Sequence, residues 1–285
     1  MATASPSVTT YDVKLAWPLG LCFLAFFVAP LVLLFVLSLQ TDPQGTAYGL
    51  NQYADFLLDL FSLGVLASTL WLGVKATALC LLLGYPVAWV YLKSPPWLRS
   101  VLILIVLLPL LTSVVVRTFS WIVILGRQGI VNEVLRALGI IDTPLRLLYT
   151  DGGLVVALAQ VQMPLMVLPL INALMRINPN LSEAAAALGA GHWRTFGKVL
   201  LPLSLPGIIA GCLLTYAAAI TAFITQSLVG GGTMLFMPMY IYQQASTLQN
   251  WPFAAAISII FLITVLAVVS LFSALGRLSR GVAAA

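Results

Sequence analysis

Six long apolar stretches constrain the fold of this chain more than any other feature. They cover residues 17–39, 63–92, 101–125, 153–175, 205–229 and 252–275. A helix that crosses the hydrocarbon core of a bilayer needs about 20 consecutive apolar residues. The only charged side chains inside the six stretches are Lys75 and Arg117. We therefore predict an all-α integral membrane protein, a bundle of six transmembrane helices.

The composition argues against the other fold classes. Charged residues make up 7% of the chain, against roughly a quarter in soluble domains. Helices in the core of a soluble protein carry a polar face, and barrel strands alternate apolar and polar residues; these stretches do neither. The first stretch is too long for the apolar core of a cleaved signal. The three cysteines lie inside the stretches, so we expect apolar thiols and neither a disulfide nor a metal site.

Basic residues indicate the orientation of the bundle, because they concentrate on the cytoplasmic side of a membrane. With six spans, the side that holds both termini carries Lys14, Lys93, Arg99, Arg176, Arg194, Lys198, Arg277 and Arg280; the other side carries Arg127, Arg136 and Arg146. We predict cytoplasmic termini, a cytoplasmic arm at residues 1–16, and a six-span domain at residues 17–285 whose cytoplasmic loop covers residues 177–204. The basic residues form no cluster that tracks phosphates, so the expected surroundings are a lipid bilayer and not nucleic acid.

The cytoplasmic loop is predicted to form two short helices. Residues 183–202 read EAAAALGAGHWRTFGKVLLP. Asn180 and Glu183 have the spacing of a capping box, and Gly189 suits the left-handed residue that ends a helix. A second helical piece over residues 192–201 is predicted to end at Pro202. On the other side of the membrane, a further short helix is predicted over residues 129–138.

The first loop helix presents a small apolar face formed by Leu181, Ala184, Ala185 and Leu188. A helix of about two turns is marginal by itself in water, so we expect another surface to pack on it. Two other interpretations remain open from the residues alone. Glu183 is also suited to a plain capping role, and the second helix has the composition of a segment lying on lipid headgroups.

The loop resembles the EAA signature of ABC-importer permeases. The matching residues are Glu183, Ala184 and Ala185, then Gly189, Val199 (usually Ile in that family), Leu201 and Pro202. As in those permeases, they lie between the fourth and fifth of six spans. The resemblance implies that this loop is a coupling helix, which docks on an ATPase subunit and transmits its nucleotide-driven closure to the spans.

The resemblance extends to the spermidine/putrescine-type branch of these permeases. Similar stretches cover residues 83–89, 108–148 and 251–255. The branch implies a location in the bacterial inner membrane. It also implies three partners: an ATPase subunit dimer, a second homologous permease and a periplasmic solute-binding protein. No phosphate-binding motif G-x-x-x-x-G-K-[ST] occurs in the chain, so we expect no cofactor bound by this chain and ATP–Mg in the partner ATPase, and we expect the chain not to be an enzyme.

The alternative from another class is an ion-coupled secondary transporter. Proton-coupled carriers place Asp, Glu or His inside the membrane, and the six predicted spans contain none. Coupling to sodium through backbone oxygens stays open.

Polar groups inside the spans are the candidate pathway residues, because ionisable and polar side chains in a membrane commonly serve function. For the glutamines and threonines among them, the alternative role is hydrogen bonding between helices. For Arg117 the alternative is anchoring helix ends or the outer loops, and for Lys75 it is snorkelling to the headgroups or pairing with a carbonyl. The candidates are Lys75, Arg117, Gln160, Gln162, Thr221, Thr225 and Gln226.

The substrate is predicted only by class. Polyamine-type permeases often carry an acidic residue before the glycine-rich outer loop, where this chain reads Thr221-Ala222-Phe223-Ile224-Thr225-Gln226. A dication in a low dielectric favours carboxylates, and the spans offer basic groups instead. We expect a small organic solute, either polyamine-like or derived from an amino acid.

Overall fold

The computed structural model describes residues 13–41, 47–178 and 180–283. Most of the N-terminal arm predicted at residues 1–16 lies outside these ranges, and the first helix already begins at Val13. The described residues are mainly helical, and their only β-type pairing is a single bridge between Gln40 and Tyr48. The all-α prediction is therefore confirmed.

Fourteen α-helices follow one another along the described chain. They are α1 Val13–Phe23, α2 Ala29–Ser38, α3 Asn51–Leu58, α4 Leu60–Lys93, α5 Pro96–Leu111, α6 Val114–Leu125, α7 Ile130–Ala137, α8 Asp151–Met175, α9 Asn180–Ala187, α10 His192–Thr195, α11 Leu201–Ile220, α12 Phe223–Gly230, α13 Met237–Tyr242 and α14 Trp251–Ala283. Short π-helical turns join α1 to α2, α10 to α11, and α13 towards α14. Six helical segments are long and apolar enough to cross a membrane: Gly20–Ser38, Leu60–Lys93, Val114–Ala137, Asp151–Met175, His192–Ile220 and Trp251–Ala274.

The core of the bundle is formed by α4, α8 and α11, which pack on one another. Of the six spans, α8 is the most buried, whereas the first span has no buried residue in its most apolar window. The helices α8 and α11 approach closely because Gly207 and Gly211 are one turn apart on the same face of α11. A Cβ atom on Gly207 would lie 2.4 Å from the Cβ of Ala173, and one on Gly211 would lie 2.8 Å from the sulfur of Met166. Small residues at this spacing allow the close packing of helices in membranes.

The helix α4 begins with a charged cap. Asp59 accepts hydrogen bonds from the backbone N–H groups of Phe61 (3.1 Å) and Ser62 (3.0 Å). The hydroxyl of Ser62 also donates to this carboxylate at 2.7 Å. These bonds, the side-chain one first, hold the pKa of Asp59 below its usual value. An ionised cap stabilises the start of a helix because it meets the positive end of the helix dipole.

The predicted third span is not one continuous helix. α5 ends at Leu111, and Thr112 and Ser113 take extended conformations with ψ of 147° and 133° before α6 begins. The carbonyl of Pro109 therefore loses the N–H partner that a continuous helix would supply. The guanidinium of Arg117, one turn into α6, donates to this carbonyl instead. The break is thus stabilised by a side chain that is also one of the candidate pathway residues.

The predicted fifth span is also broken. α11 ends at Ile220, and α12 begins at Phe223 after the irregular residues Thr221 and Ala222. The side chain of Gln226, 1% exposed, donates to the carbonyls of Ala219 (2.9 Å) and Ile220 (3.2 Å). A buried amide thus satisfies the carbonyl groups at the end of α11.

The prediction that a helix ends at Pro202 is wrong. The chain stays helical from His192 to Ile220, with a π-helical turn over Phe196–Leu200 directly before α11. In this turn the N–H of Leu201 bonds to the carbonyl of Phe196, five residues earlier. Proline interrupts an α-helix because it lacks an N–H and collides with the preceding turn. Here Pro202 lies in the first turn of α11, after a wider turn of the kind that accommodates an irregularity.

Candidate functional site

The loop between α8 and α11 forms two helices that meet at a sharp turn, as predicted. Gly189 has a φ of +78°, and its N–H bonds to the carbonyl of Ala186 at 2.9 Å while the N–H of Ala190 bonds to that of Ala185 at 3.0 Å. This pair of bonds is the Schellman motif, in which a left-handed residue, usually glycine, closes the helix. The predicted cap at Asn180 is wrong by two residues: the side chain of Asn178 accepts the N–H of Asn180 at 3.0 Å, so Asn180 is already helical.

The loop exposes large apolar side chains. Leu188 is 89% exposed, Trp193 87% and Leu181 44%. Glu183 and Ala184 are exposed, and Ala185 is half-buried. We name the surface formed by Leu181, Glu183, Ala184, Ala185, Leu188 and Gly189 the loop surface.

Aromatic contacts connect the loop to the bundle. The ring of Phe196, in the π-helical turn, meets those of Tyr85 (5.5 Å between centroids), Trp89 (6.2 Å) and Trp193 (6.4 Å) in edge-to-face arrangements. The hydroxyl of Tyr85 lies 3.1 Å from that of Ser204 in α11. The loop is therefore tied to both α4 and α11. The sequence analysis missed Phe196 and Tyr85; their only signal was the aromatic content of the loop and of the end of α4.

The two helix breaks face a common cavity of about 460 Å³. Four of the predicted pathway residues line it, namely Arg117, Gln162, Thr221 and Thr225. The Nε of Arg117 is buried and has no hydrogen-bond partner among the described residues. A cavity of this volume is within the range of sites for small molecules. Pro109, Thr112 and Phe223 also line it. The sequence analysis missed the break between α5 and α6, whose only signal is a Thr-Ser pair within an apolar stretch.

The structure does not bring the other three pathway candidates into this cavity. Lys75 forms an ion pair with Asp151, the first residue of α8, which lies just before the predicted fourth span. Gln160 accepts a hydrogen bond from the indole N–H of Trp121 at 3.2 Å. Gln226 holds the break between α11 and α12. These three side chains make contacts within and between the helices of the bundle.

The comparisons with known proteins agree with this architecture. The model of the family described as binding-protein-dependent transport system inner membrane component matches residues 80–280. The spermidine/putrescine transport system permease protein PotB of Escherichia coli (strain K12) is 38% identical over 203 residues, which cover 71% of this chain and 74% of that protein. The protein of the same name from Haemophilus influenzae is 36% identical over 242 residues, which cover 83% and 84%.

The fold is also found in a solved structure. The crystal structure of a bacterial alginate ABC transporter, in complex with an alginate pentasaccharide-bound periplasmic protein, contains a similar chain with a TM-score of 0.75. The two chains are 20% identical, and the match covers 93% of this chain and 96% of that one. At this identity the similarity concerns the fold alone. The family match and the two relatives show that the chain belongs to the inner membrane components of binding-protein-dependent transport systems, and that it is a permease subunit of an ABC importer.

Proposed function

We propose that this chain forms one half of the translocation pore of the importer and that the loop over residues 180–202 couples it to an ATPase. The observation that carries the proposal is the loop surface, which is exposed, mostly apolar and connected to the centre of the bundle. Family membership favours this energy source over the ion-coupled alternative. In this proposal ATP–Mg binds to a separate ATPase dimer, and the chain itself hydrolyses nothing.

Docking of a partner would stabilise the loop surface. Fully burying a leucine side chain contributes about 1.5–3 kcal/mol, and Leu188 is almost fully exposed. The side chains of Ala184 and Ala185 are small, so a partner backbone or side chain can approach them closely. Leu201 and Pro202, which belong to the family signature, lie at the start of α11, where the loop becomes the span.

The aromatic contacts of Phe196 can transmit movement of the docked partner to the pore. A push on α9 and α10 reaches Phe196, then Tyr85 in α4 and Ser204 in α11. The two helices α4 and α11 contribute to the packing around α8, and α11 ends at the break that faces the cavity. Movement of the loop would therefore reach the residues that line the cavity.

The cavity between the two helix breaks is the proposed solute pathway of this half of the pore. Irregular backbone at membrane depth is tolerated where it is covered by protein or lines a water-filled space. Arg117, Gln162, Thr221 and Thr225 offer hydrogen-bond donors and acceptors there. A second homologous permease would contribute the opposite wall.

The proposed solute is small and organic, polyamine-like or derived from an amino acid. The two relatives described above are named for spermidine and putrescine. The side chains that line the cavity include one cation, Arg117, and no carboxylate among the described residues. A dication would therefore depend on carboxylates from the second permease, whereas a solute with its own carboxylate would find a donor in this chain. A periplasmic binding protein is proposed to deliver the solute.

The proposed orientation places the loop and both termini in the cytoplasm. The support is the distribution of basic residues, since the side that carries the loop also carries Lys93, Arg99, Arg176, Arg194 and Lys198.

The coupling role is tested by reversing one charge in the complex. The solute is first identified by mass spectrometry of the binding protein that accompanies the complex. Nucleotide-dependent uptake of that solute and co-purification of the ATPase are then measured for Glu183→Arg. Glu133→Arg is the matched control, because Glu133 is also the fourth residue of an eight-residue helix, α7.

We expect uptake to fall about tenfold or more in Glu183→Arg. A partner surface that is complementary to the glutamate would repel the arginine, and the contact of two like charges at an interface costs several kcal/mol. Membrane insertion should be normal in both variants. Equal uptake in Glu183→Arg and Glu133→Arg would contradict the docking role.

A further inference from the structure

A second cavity, of about 370 Å³, lies at the end of the bundle that carries the loop. It is lined by the end of α4, the start of α5, the end of α8 and Leu200 in the turn before α11. Two cationic side chains, Lys93 and Arg99, line it. Most of the remaining lining is apolar, and the described part of the chain contributes no carboxylate to it. The cavity therefore combines two positive charges with an apolar wall.

The guanidinium of Arg99 is held in place by a hydrogen bond and still has N–H donors without a partner in the described chain. One of its terminal nitrogens donates to the carbonyl of Leu92 at 2.7 Å, across the turn between α4 and α5. Its Nε is buried without a hydrogen-bond partner among the described residues. A guanidinium has five N–H donors and suits phosphate oxygens in particular. The residue is held as an anchored group with unused capacity for an anion.

Lys93 is the last residue of α4, and its ammonium group lies above an aromatic ring. Its Nζ lies 4.6 Å from the centroid of the Trp89 ring, which lines the same cavity. The amide of Asn178 also lines the cavity, and its oxygen is already used at the start of α9. Tryptophan and lysine side chains at the ends of membrane spans typically lie at the level of the lipid headgroups.

We infer that this cavity binds an anionic phospholipid. Its phosphodiester accepts hydrogen bonds from Arg99 and Lys93, and an acyl chain follows the apolar wall formed by Leu174 and Met175. Met175 is 58% exposed, so this wall continues to the outer surface of the bundle. Basic pockets between spans are a recurring form of anionic lipid recognition. An acidic segment of a partner protein would use the cations but not the aliphatic wall, so the lipid is the occupant that fits both.

The experiment measures lipid retention by native mass spectrometry. The complex is purified from a mixture of equal amounts of phosphatidylglycerol and phosphatidylcholine. Wild type should retain phosphatidylglycerol in preference to phosphatidylcholine. In the double variant K93Q/R99Q the ratio of the two retained lipids should fall about tenfold, because each basic group near the membrane surface strengthens the binding of anionic lipid. The matched control is R194Q/K198Q, which removes the same charge from the same end of the bundle at residues that do not line this cavity.

Three outcomes would overturn the inference. The first is an unchanged phosphatidylglycerol preference in K93Q/R99Q. The second is an equal loss in R194Q/K198Q, which would indicate diffuse attraction. The third is loss of the ATPase from K93Q/R99Q with lipid retention intact, which would assign the cations to a protein partner. If K93Q/R99Q fails to insert into the membrane, Met175→Trp tests the site instead, because the larger side chain fills space along the apolar wall and leaves both cations in place. Reduced phosphatidylglycerol retention in this variant supports the site, and unchanged retention rejects it.

Discussion

The helices α7 and α9 are built on the same plan but are held in different ways. Each has eight residues, with a glutamate at the fourth. Each ends in a Schellman motif at a left-handed glycine, Gly139 or Gly189.

The difference between them lies in how each is attached to its own chain. Within α7, Asn132 is 1% exposed; its amide donates to the carbonyls of Gly126 and Leu145, both at 3.0 Å, and accepts the N–H of Leu145 at 2.8 Å. Among the side chains described in α9, none is buried. The same local design thus gives one helix that its own chain anchors and one whose described side chains remain exposed or half-buried. Four changes test this contrast.

The largest effect is expected from Gly189→Pro. Proline fixes φ near −65° and removes an N–H, whereas Gly189 has a φ of +78° and donates to Ala186. The end of α9 should be rebuilt, and ATP-driven uptake should fall to background with normal insertion. Gly139→Pro, which does the same damage to α7, should leave at least half of the uptake; a comparable loss in both would show that the two helices do not differ in function.

The anchor of α7 is tested by Asn132→Ala. This change removes the three hydrogen bonds that the Asn132 side chain makes to Gly126 and Leu145, and each such bond contributes about 0.5–1.5 kcal/mol. We expect a lower midpoint of thermal unfolding of the purified complex and little change in the coupling ratio of solute transported to ATP hydrolysed. An unchanged midpoint would mean that Asn132 does not anchor α7.

A smaller effect is expected from shortening the leucine that precedes each glycine. Leu188 and Leu138 are both mostly exposed, at 89% and 67%, so their replacement by alanine should change folding stability by only about 0.5 kcal/mol. Leu188→Ala should nevertheless weaken ATPase binding by about tenfold, through lost burial at the docked surface. Leu138→Ala should not. Titration of the ATPase subunit onto the membrane component measures both, and equal affinities would contradict the contrast.

The smallest effect is expected at the start of α9. The side chain of Asn178 caps this helix, whereas Gly129, the residue before α7, offers no side-chain cap. Asn178→Ala should cost about 0.5–1 kcal/mol of local helix stability and reduce uptake about two- to threefold. Hydrogen exchange at the amides of α9 measures the local effect; unaltered exchange would show that the cap contributes nothing.

The sequence predicted the number of spans because crossing a bilayer demands a long apolar stretch, whatever the fold. It also predicted the turn at Gly189, since few residues adopt a left-handed conformation easily. It did not predict the breaks after Leu111 and Ile220. Those breaks depend on side chains that replace lost backbone partners, Arg117 for Pro109 and Gln226 for Ala219, and such pairings appear only once the helices are placed. For the same reason the pairing of Lys75 with Asp151, 76 positions apart, could not be predicted.

The glycines at 207 and 211 have a mechanical consequence. With Ala173 and Met166 seated in the gaps that they leave, α8 and α11 cannot slide past each other without a steric collision. The two helices should therefore move together as one unit. A methyl group added at either glycine would push α8 and α11 apart. We therefore expect transport to fall, although every polar group that lines the cavity is still in place.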